Sequence, residues 1–116
     1  MYQVFVVSDG TGRTARQALN AALTQFPGTE IDVVVFSDIN NQAEVVEIVA
    51  RAQVYGALIV HTLVTDSLRE LIIRESHKKN VETIDLMGPL LRRLSNQFIH
   101  EPSQQPGLYN KLNKDY

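Results

Sequence analysis

The sequence contains no cysteine. A disulfide framework, a thiolate metal site and a thiol nucleophile are therefore all excluded. An excess of basic charge is also missing, because 11 Lys and Arg residues stand against 13 Asp and Glu residues. That balance argues against a protein whose main task is to bind nucleic-acid phosphates, since such proteins usually carry a basic patch.

Long apolar runs are missing too, and none approaches the roughly 20 residues that cross a bilayer. The amino-terminal run Tyr2–Val7 lacks a basic start and is followed at once by polar Ser8-Asp9, too early for a signal peptide. We therefore expect a cytoplasmic protein that contacts no membrane. No Gly-Lys pair occurs either, so the 116 residues contain no G-x-x-x-x-G-K-[ST] phosphate loop of the nucleoside triphosphatases.

What the sequence does contain is a regular alternation of short apolar runs with segments of helical period. The composition, 44% hydrophobic and 21% charged, is that of an ordinary globular domain. The expected fold is α/β, a Rossmann-like open parallel sheet of about four strands with flanking helices, because this alternation is typical of β-α-β units. The predicted strands are Gln3 to Ser8, Ile31 to Ser37, Ala57 to Thr62 and Glu82 to Leu86.

A helix is predicted after each of these strands. The first carries an apolar stripe from Ala15 to Phe26, the second begins at Asn41 with Glu44 as capping-box partner, and the fourth opens at Gly88-Pro89. Thr65, Asp66 and Ser67 are the candidate caps of the third helix. The predicted buried faces are Val45, Ile48, Val49 and Ala52 in the second helix, Leu68, Leu71 and Ile72 in the third, and Leu90, Leu91 and Leu94 in the fourth.

The character of the chain changes near residue 100. Residues 1–99 are predicted to form the α/β domain, and residues 100–116 a carboxy-terminal arm or linker. The segment Glu101 to Gly107 is polar, contains proline and has no period. The closing segment, Leu108 to Tyr116, is typical of the start of a helix with too few apolar partners to stand alone. Its apolar residues could pair with another domain or with another copy of the chain, which would give a homo-oligomer.

Polar residues gather where the predicted strands end, and in open parallel sheets ligands bind outside those carboxyl ends. The run Ser8-Asp9-Gly10-Thr11-Gly12 is interpreted as an anion-binding turn, because its glycines allow backbone amides to point inward at a helix N-terminus. The candidate phosphate- or nucleotide-binding residues at the strand ends are Ser8, Asp9, Gly10, Thr11, Gly12, Thr14, Asp38, His61, Thr62 and Gly88.

Several of these residues have a plainer explanation beside the functional one. A Ser-Asp-Gly run is also typical of a tight turn before a capped helix. Asp9 would repel a bare phosphate, so a metal, a ribose or a substrate hydroxyl suits its carboxylate better. Asp38 is equally consistent with a turn residue, and His61 with a hydrogen-bonded packing residue. The residues alone assign no catalytic group and no metal site.

Two further functional classes compete for the same residues. Gly10 to Ala15 satisfies the G-x-G-x-x-A form of the dinucleotide-binding turn, and Asp38 ends the second strand. A dinucleotide- or nucleotide-binding module of Rossmann type is therefore the alternative, although an oxidoreductase would also need a substrate domain for which 116 residues leave no room. A response-receiver domain would need a phosphorylatable aspartate at the position of His61-Thr62.

Four separated motifs resemble the pattern of one known family. They are VSDGTGRTA from Val7 to Ala15, GALIVHTLV from Gly56 to Val64, DLMGPLL from Asp85 to Leu91 and PGL from Pro106 to Leu108. In this order they resemble the pyruvate, phosphate dikinase regulatory protein family, which includes the phosphoenolpyruvate synthase regulatory proteins. The resemblance runs over essentially the whole chain. It departs at Arg13, where the family pattern has glutamate, so an acidic role does not carry over there.

This resemblance implies a bifunctional serine/threonine kinase and pyrophosphorylase. Such an enzyme uses ADP to phosphorylate a threonine of its partner, pyruvate, phosphate dikinase or phosphoenolpyruvate synthase, and reverses this with inorganic phosphate, releasing pyrophosphate. ADP and phosphate are thus the implied substrates, and the need for a divalent cation is left open. Family members are longer than this chain, and their phosphate loop lies after the part that it matches. The expectation is an amino-terminal domain that transfers no phosphate by itself.

Overall fold

The computed structural model describes residues 1–108 as a parallel sheet with flanking helices, which confirms the predicted Rossmann-like α/β fold. Residues 109–116, most of the predicted incipient helix, lie outside the described residues. The strands are β1 (Tyr2–Val7), β2 (Ile31–Phe36), β3 (Leu58–His61) and β4 (Thr83–Asp85), and the helices are α1 (Arg13–Leu23), α2 (Gln42–Tyr55), α3 (Asp66–Lys78) and α4 (Gly88–Phe98). The strand bounds differ from the predicted ones by at most one residue at each end, an ordinary disagreement at element ends.

The strand register brings the carboxyl ends of all the strands together. The order across the sheet is β2-β1-β3-β4, and every pair is parallel. Val7 pairs with Phe36 on one side and with His61 on the other, and His61 pairs with Asp85. Each of these is the last residue of its strand. The segments that follow the strands therefore leave the sheet along one edge, here called the carboxyl edge.

The main core lies between the sheet and the helices α2 and α3. Phe5 and Val7 of β1 and Ile59 of β3 point into it, and Phe5 meets Phe36 edge-on with ring centroids 5.1 Å apart. The predicted inner faces of α2 and α3 are confirmed as buried. Asn41 caps α2 as predicted, since its Oδ1 accepts the Glu44 N–H at 2.9 Å. Periodicity identified these residues because both helices face the sheet along their whole apolar stripes.

The fourth helix departs from the sequence-based expectation. The stripe Leu90, Leu91 and Leu94 was predicted to be core, and this is wrong for two of its members, since Leu90 is 53% and Leu94 40% exposed. A helical period shows that one face is apolar, but it does not show what covers that face. In the described part of the chain, no element packs closely along this side of α4. No helix within residues 1–108 is long and apolar enough to span a bilayer.

Candidate anion-binding site

The β1–α1 turn, residues 8–12, connects the first strand to the first helix. The Gly10 N–H donates to Ser8 Oγ at 2.9 Å, which closes the turn. Gly12 has a φ of 84° and is the N-cap residue of α1. An L side chain is strained at this φ, and its Cβ would lie 3.0 Å from Val35 Cγ1. The glycine is therefore required both by backbone conformation and by the close approach of β2.

The N-terminus of α1 receives no negative charge from its own first turn. Gly12 has no side chain to cap the helix, and the first turn contains no acidic residue but begins with Arg13. The Arg13 N–H donates to Thr11 Oγ1 at 3.2 Å. This acceptor is a neutral hydroxyl, whereas a carboxylate lies at the start of each of the other helices, Glu44 at α2, Asp9 at α3 and Asp85 at α4. The partial positive charge of α1 is thus available to an anion from outside the chain.

A cavity of about 290 Å³ opens directly onto this helix N-terminus. Its polar side consists of the β1–α1 turn together with Arg13, Thr14 and Thr62. Its apolar side is formed by Val64, Met87 and Leu91. The structure therefore brings together Ser8, Asp9, Gly10, Thr11, Gly12, Thr14 and Thr62, seven of the ten residues proposed from the sequence.

The remaining wall comes from residues 100–108, part of the segment predicted from the sequence as an arm or linker, for which no place in the site was predicted. Pro102, Gln104 and Leu108 line the cavity. Gln104 Oε1 accepts the Asp66 N–H at 3.0 Å, which fastens the arm to the start of α3. A Cβ built on Gly10 would lie 3.4 Å from the Gly107 nitrogen, so the arm passes closely over the turn. No local signal in the sequence marks this contact, because it joins residues far apart in the chain.

One oxygen of the Asp9 carboxylate is held by the chain itself. Its Oδ2 accepts the N–H groups of Val64 and Thr65, both at 3.0 Å, and the residue is 9% exposed. Thr65 is the N-cap of α3 but makes no side-chain capping bond, so Asp9 takes over this function. The carboxylate thus neutralises the start of α3, which reduces its repulsion of an anion in the cavity.

Asp38 lies outside the cavity lining. It is exposed, with a φ of 55°, and its N–H donates to Gly10 O at 2.8 Å, while the Ile39 N–H donates to Ser8 O at 3.1 Å. This loop after β2 therefore supports the β1–α1 turn from behind through its backbone. The geometry fits a turn residue, which was one of the two interpretations of Asp38 from the sequence.

His61 and Gly88 also lie outside the cavity lining, next to Asp85. His61 is 0% exposed, and its Nδ1 is 3.9 Å from Asp85 Oδ1. Burial has the largest effect on the pKa of His61 and lowers it, Asp85 raises it, and Arg69 lowers it. The Gly88 N–H donates to Asp85 Oδ1 at 2.7 Å. Sequence reasoning missed Asp85, although an aspartate shortly before Gly-Pro is a recognisable capping signal.

A divalent cation held by the protein alone does not fit the described part of the site. Within residues 1–108 no group of three or more His, Asp or Glu side chains is placed to bind a metal ion. The carboxylate in the cavity wall, that of Asp9, is already engaged by backbone N–H groups. The cavity instead presents backbone N–H and hydroxyl donors, which suit an anion, together with apolar side chains.

Comparison with known proteins identifies relatives that align with nearly the whole of this chain. The chain is 36% identical over 114 residues to the pyruvate, phosphate dikinase regulatory protein, as it is named, of Halothermothrix orenii. It is 34% and 33% identical over 113 residues to the proteins of the same name from Halalkalibacterium halodurans and Shouchella clausii. These alignments cover 97–98% of this chain but only 42% of each relative. A sequence model of the kinase/pyrophosphorylase family matches residues 4–116, and the chain belongs to that family.

Proposed function

We propose that this chain is the amino-terminal domain of a cytoplasmic, bifunctional serine/threonine kinase and phosphate-dependent pyrophosphorylase. The target is pyruvate, phosphate dikinase or phosphoenolpyruvate synthase, whose threonine is phosphorylated with ADP and dephosphorylated with inorganic phosphate. Membership of the kinase/pyrophosphorylase family supports the reaction class. The names of the relatives support a dikinase as the target.

In this proposal the β1–α1 turn is the part of the domain that contacts phosphate. The observation that carries it is the N-terminus of α1, which meets a neutral hydroxyl rather than a carboxylate, has no acidic residue in its first turn and opens into the cavity. Backbone N–H groups at such a position bind phosphate through hydrogen bonds and through the helix dipole. Arg13, at the same place, adds a full positive charge. The turn is one wall of a site shared with the phosphate loop of the longer family members.

The apolar residues of the cavity lining indicate which phosphate compound fits best. Val64, Met87 and Leu91 present apolar surface to the cavity, which bare phosphate would leave uncovered. A ligand with both an anionic and an apolar part, such as ADP, buries that surface as well. We therefore expect ADP to bind more tightly than inorganic phosphate, with its phosphates at the start of α1.

Replacing Gly12 by valine tests the assignment of the turn. We expect the dissociation constant for ADP to rise about a hundredfold, about 2.8 kcal/mol, because the new side chain distorts the turn that presents the amides. Isothermal titration calorimetry with ADP, pyrophosphate and inorganic phosphate measures this. NAD belongs in the same series, because tighter binding of NAD than of ADP would favour the dinucleotide alternative.

The matched control is Gly28→Val. Gly28 has a φ of 81°, close to the 84° of Gly12, so both substitutions strain the backbone alike. No atom lies within 4 Å of a Cβ built on Gly28, and the residue follows α1 at the end away from the cavity. Gly28→Val should therefore leave ADP affinity unchanged. Equal losses in both variants would show that strain alone weakens binding and would remove the turn from the site.

Phosphate transfer by the purified 116-residue chain is expected to be undetectable. Its sequence has no G-x-x-x-x-G-K-[ST] motif, and it spans 42% of the length of its relatives. The assay incubates a dikinase with ADP and the chain, and then measures phosphothreonine by mass spectrometry. The full-length relative from Halothermothrix orenii is the positive control. Phosphothreonine formed by the chain alone would contradict the proposal that phosphate transfer also needs the phosphate loop of the longer family members.

A further inference from the structure

Asp85, the last residue of β4, holds the start of α4. Its Oδ1 accepts the N–H groups of Met87 at 3.1 Å and Gly88 at 2.7 Å. Gly88 leaves room for this carboxylate, because a Cβ built there would lie 2.0 Å from Asp85 Oδ2. The negative charge of Asp85 therefore lies at the N-terminus of α4 and stabilises its first turn.

The segment held in this way is part of the cavity. Met87, whose N–H is bound by Asp85, and Leu91, one helical turn further along α4, both line the cavity. The β1–α1 turn lines the same cavity. We therefore expect a displacement of the Asp85 carboxylate to change the position of this apolar part of the cavity lining.

His61 lies beside the same carboxylate without another partner. Neither of its ring nitrogens has a hydrogen-bond partner in the described chain, and the side chain is 0% exposed. Asp85 of β4 and Arg69 of α3 are the charged groups that act on it, and Arg69 is paired with Asp66 and also lies 3.9 Å from Asp85 Oδ2 through its Nε. Burial sets the direction of the shift, so the pKa of His61 lies below its ordinary value and the neutral imidazole is favoured.

We propose that Asp85 is the positioning residue for the α4 wall of the anion site, and that protonation of His61 withdraws it from that position. This inference rests on the function proposed above for the cavity. A buried imidazolium needs a hydrogen-bonded anionic partner. Asp85 Oδ1 lies 3.9 Å from His61 Nδ1 and can become that partner after a small movement. When Oδ1 moves to the ring it leaves the N–H groups of Met87 and Gly88. The first turn of α4 then loses its acceptor, and the wall shifts.

The sign of the pH effect separates this mechanism from general electrostatics. Acidification makes the whole chain more positive, which by itself would tighten the binding of any anion. Protonation of His61 acts in the opposite direction, because it disrupts one wall of the site. Since burial lowers the pKa of His61, the intact site persists at neutral pH and is lost only as the pH falls through that lowered pKa. Weaker anion binding at low pH is therefore the expected result.

The test is a pH titration of the nitrogen-labelled 116-residue chain, followed by nuclear magnetic resonance from about pH 8 to about pH 5. Sulfate is the anion probe, because its own charge stays constant over this range. We expect the Gly88 amide resonance to titrate with the same midpoint as the His61 ring. Sulfate affinity should fall about fivefold as His61 becomes protonated, at the low end of usual couplings between sites.

Two variants and one control sharpen the result. His61→Gln should abolish both the Gly88 titration and the loss of sulfate affinity. Asp85→Asn retains an acceptor oxygen but removes the charge that raises the pKa of His61, so the midpoint of the ring should fall further. His77→Gln replaces an exposed histidine of α3 and should change neither response.

The outcomes that overturn the inference are distinct. A Gly88 resonance that does not follow the His61 ring in the unmodified chain overturns it without any variant. A loss of sulfate affinity that persists in His61→Gln overturns the link to the cavity. Failure of sulfate to bind at about pH 8 overturns the proposed anion site instead, and the Gly88 titration still reports separately on the coupling of Asp85 to His61.

Discussion

Replacing Gly88 by alanine is expected to lower the free energy of unfolding by about 2 to 3 kcal/mol, as for other losses of a helix cap at a crowded site. The same change in an open first helical turn would normally stabilise the helix, by up to about 1 kcal/mol. The sign is reversed here because the new Cβ would lie 2.0 Å from Asp85 Oδ2. The carboxylate must move away and release the N–H groups of Met87 and Gly88. Urea denaturation followed by circular dichroism measures the change.

A double-mutant cycle with Asp85→Ala isolates the cause. In the Asp85→Ala background the obstructing carboxylate is gone, so Gly88→Ala should become neutral or stabilising by up to about 1 kcal/mol. The comparison is clean because Gly88 has an ordinary negative φ, which alanine adopts without strain. Strictly additive costs in the two single variants and the double variant would show that Gly88 is required for a reason other than Asp85.

The parts of the fold that follow from local pattern were predictable from the sequence. The predicted strands and the predicted inner faces of α2 and α3 agree with the structure. They could be predicted because buried strands appear as short apolar runs and amphipathic helices as apolar residues at helical spacing. The capping of α2 by Asn41 is also local, with its partner Glu44 three residues away. The turn residues Ser8 to Gly12 came together at the carboxyl edge because parallel strands end there.

What the sequence could not predict depends on contacts between distant segments. Asp9 accepts hydrogen bonds from residues 55 and 56 positions later in the chain, at the start of α3. Gln104 reaches back to Asp66, 38 positions earlier. Neither pair has a periodic or local signal in the sequence, so local reasoning offers Thr65, Asp66 and Ser67 as caps of α3 and describes the last segment only as an arm or linker. The exposure of Leu90 has the same origin, since α4 is amphipathic but finds no close partner among the described elements.

The turn that binds phosphate in our proposal is thereby tied to the rest of the carboxyl edge. Ser8 O and Gly10 O accept the N–H groups of Ile39 and Asp38 from the loop after β2. On the other side, Asp9 Oδ2 accepts the N–H groups at the start of α3. A turn fixed on both sides keeps its amides oriented before a ligand arrives, which saves the ordering entropy that binding would otherwise consume.

Asp9→Ala is therefore expected to act first on stability and through it on binding. Two partly buried N–H groups, those of Val64 and Thr65, lose their acceptor, and we expect the free energy of unfolding to fall by about 2 kcal/mol. Asp9→Asn keeps an oxygen in the same place and loses only the charge at the N-terminus of α3, so about 1 kcal/mol is expected. Asp32→Ala, on the exposed side of β2, is the control and should change stability by less than about 0.5 kcal/mol.

The same variants decide between the two roles considered for Asp9. If the carboxylate contacted a metal, a ribose or a substrate hydroxyl, Asp9→Asn would weaken ADP binding strongly while leaving stability almost intact. If it fixes the turn to α3, as its bonds to Val64 and Thr65 indicate, stability and affinity should fall together, and Asn should preserve most of both. Urea denaturation and ADP calorimetry on the same preparations compare the two losses directly. The acceptor oxygen rather than the charge would then be what the turn requires at Asp9.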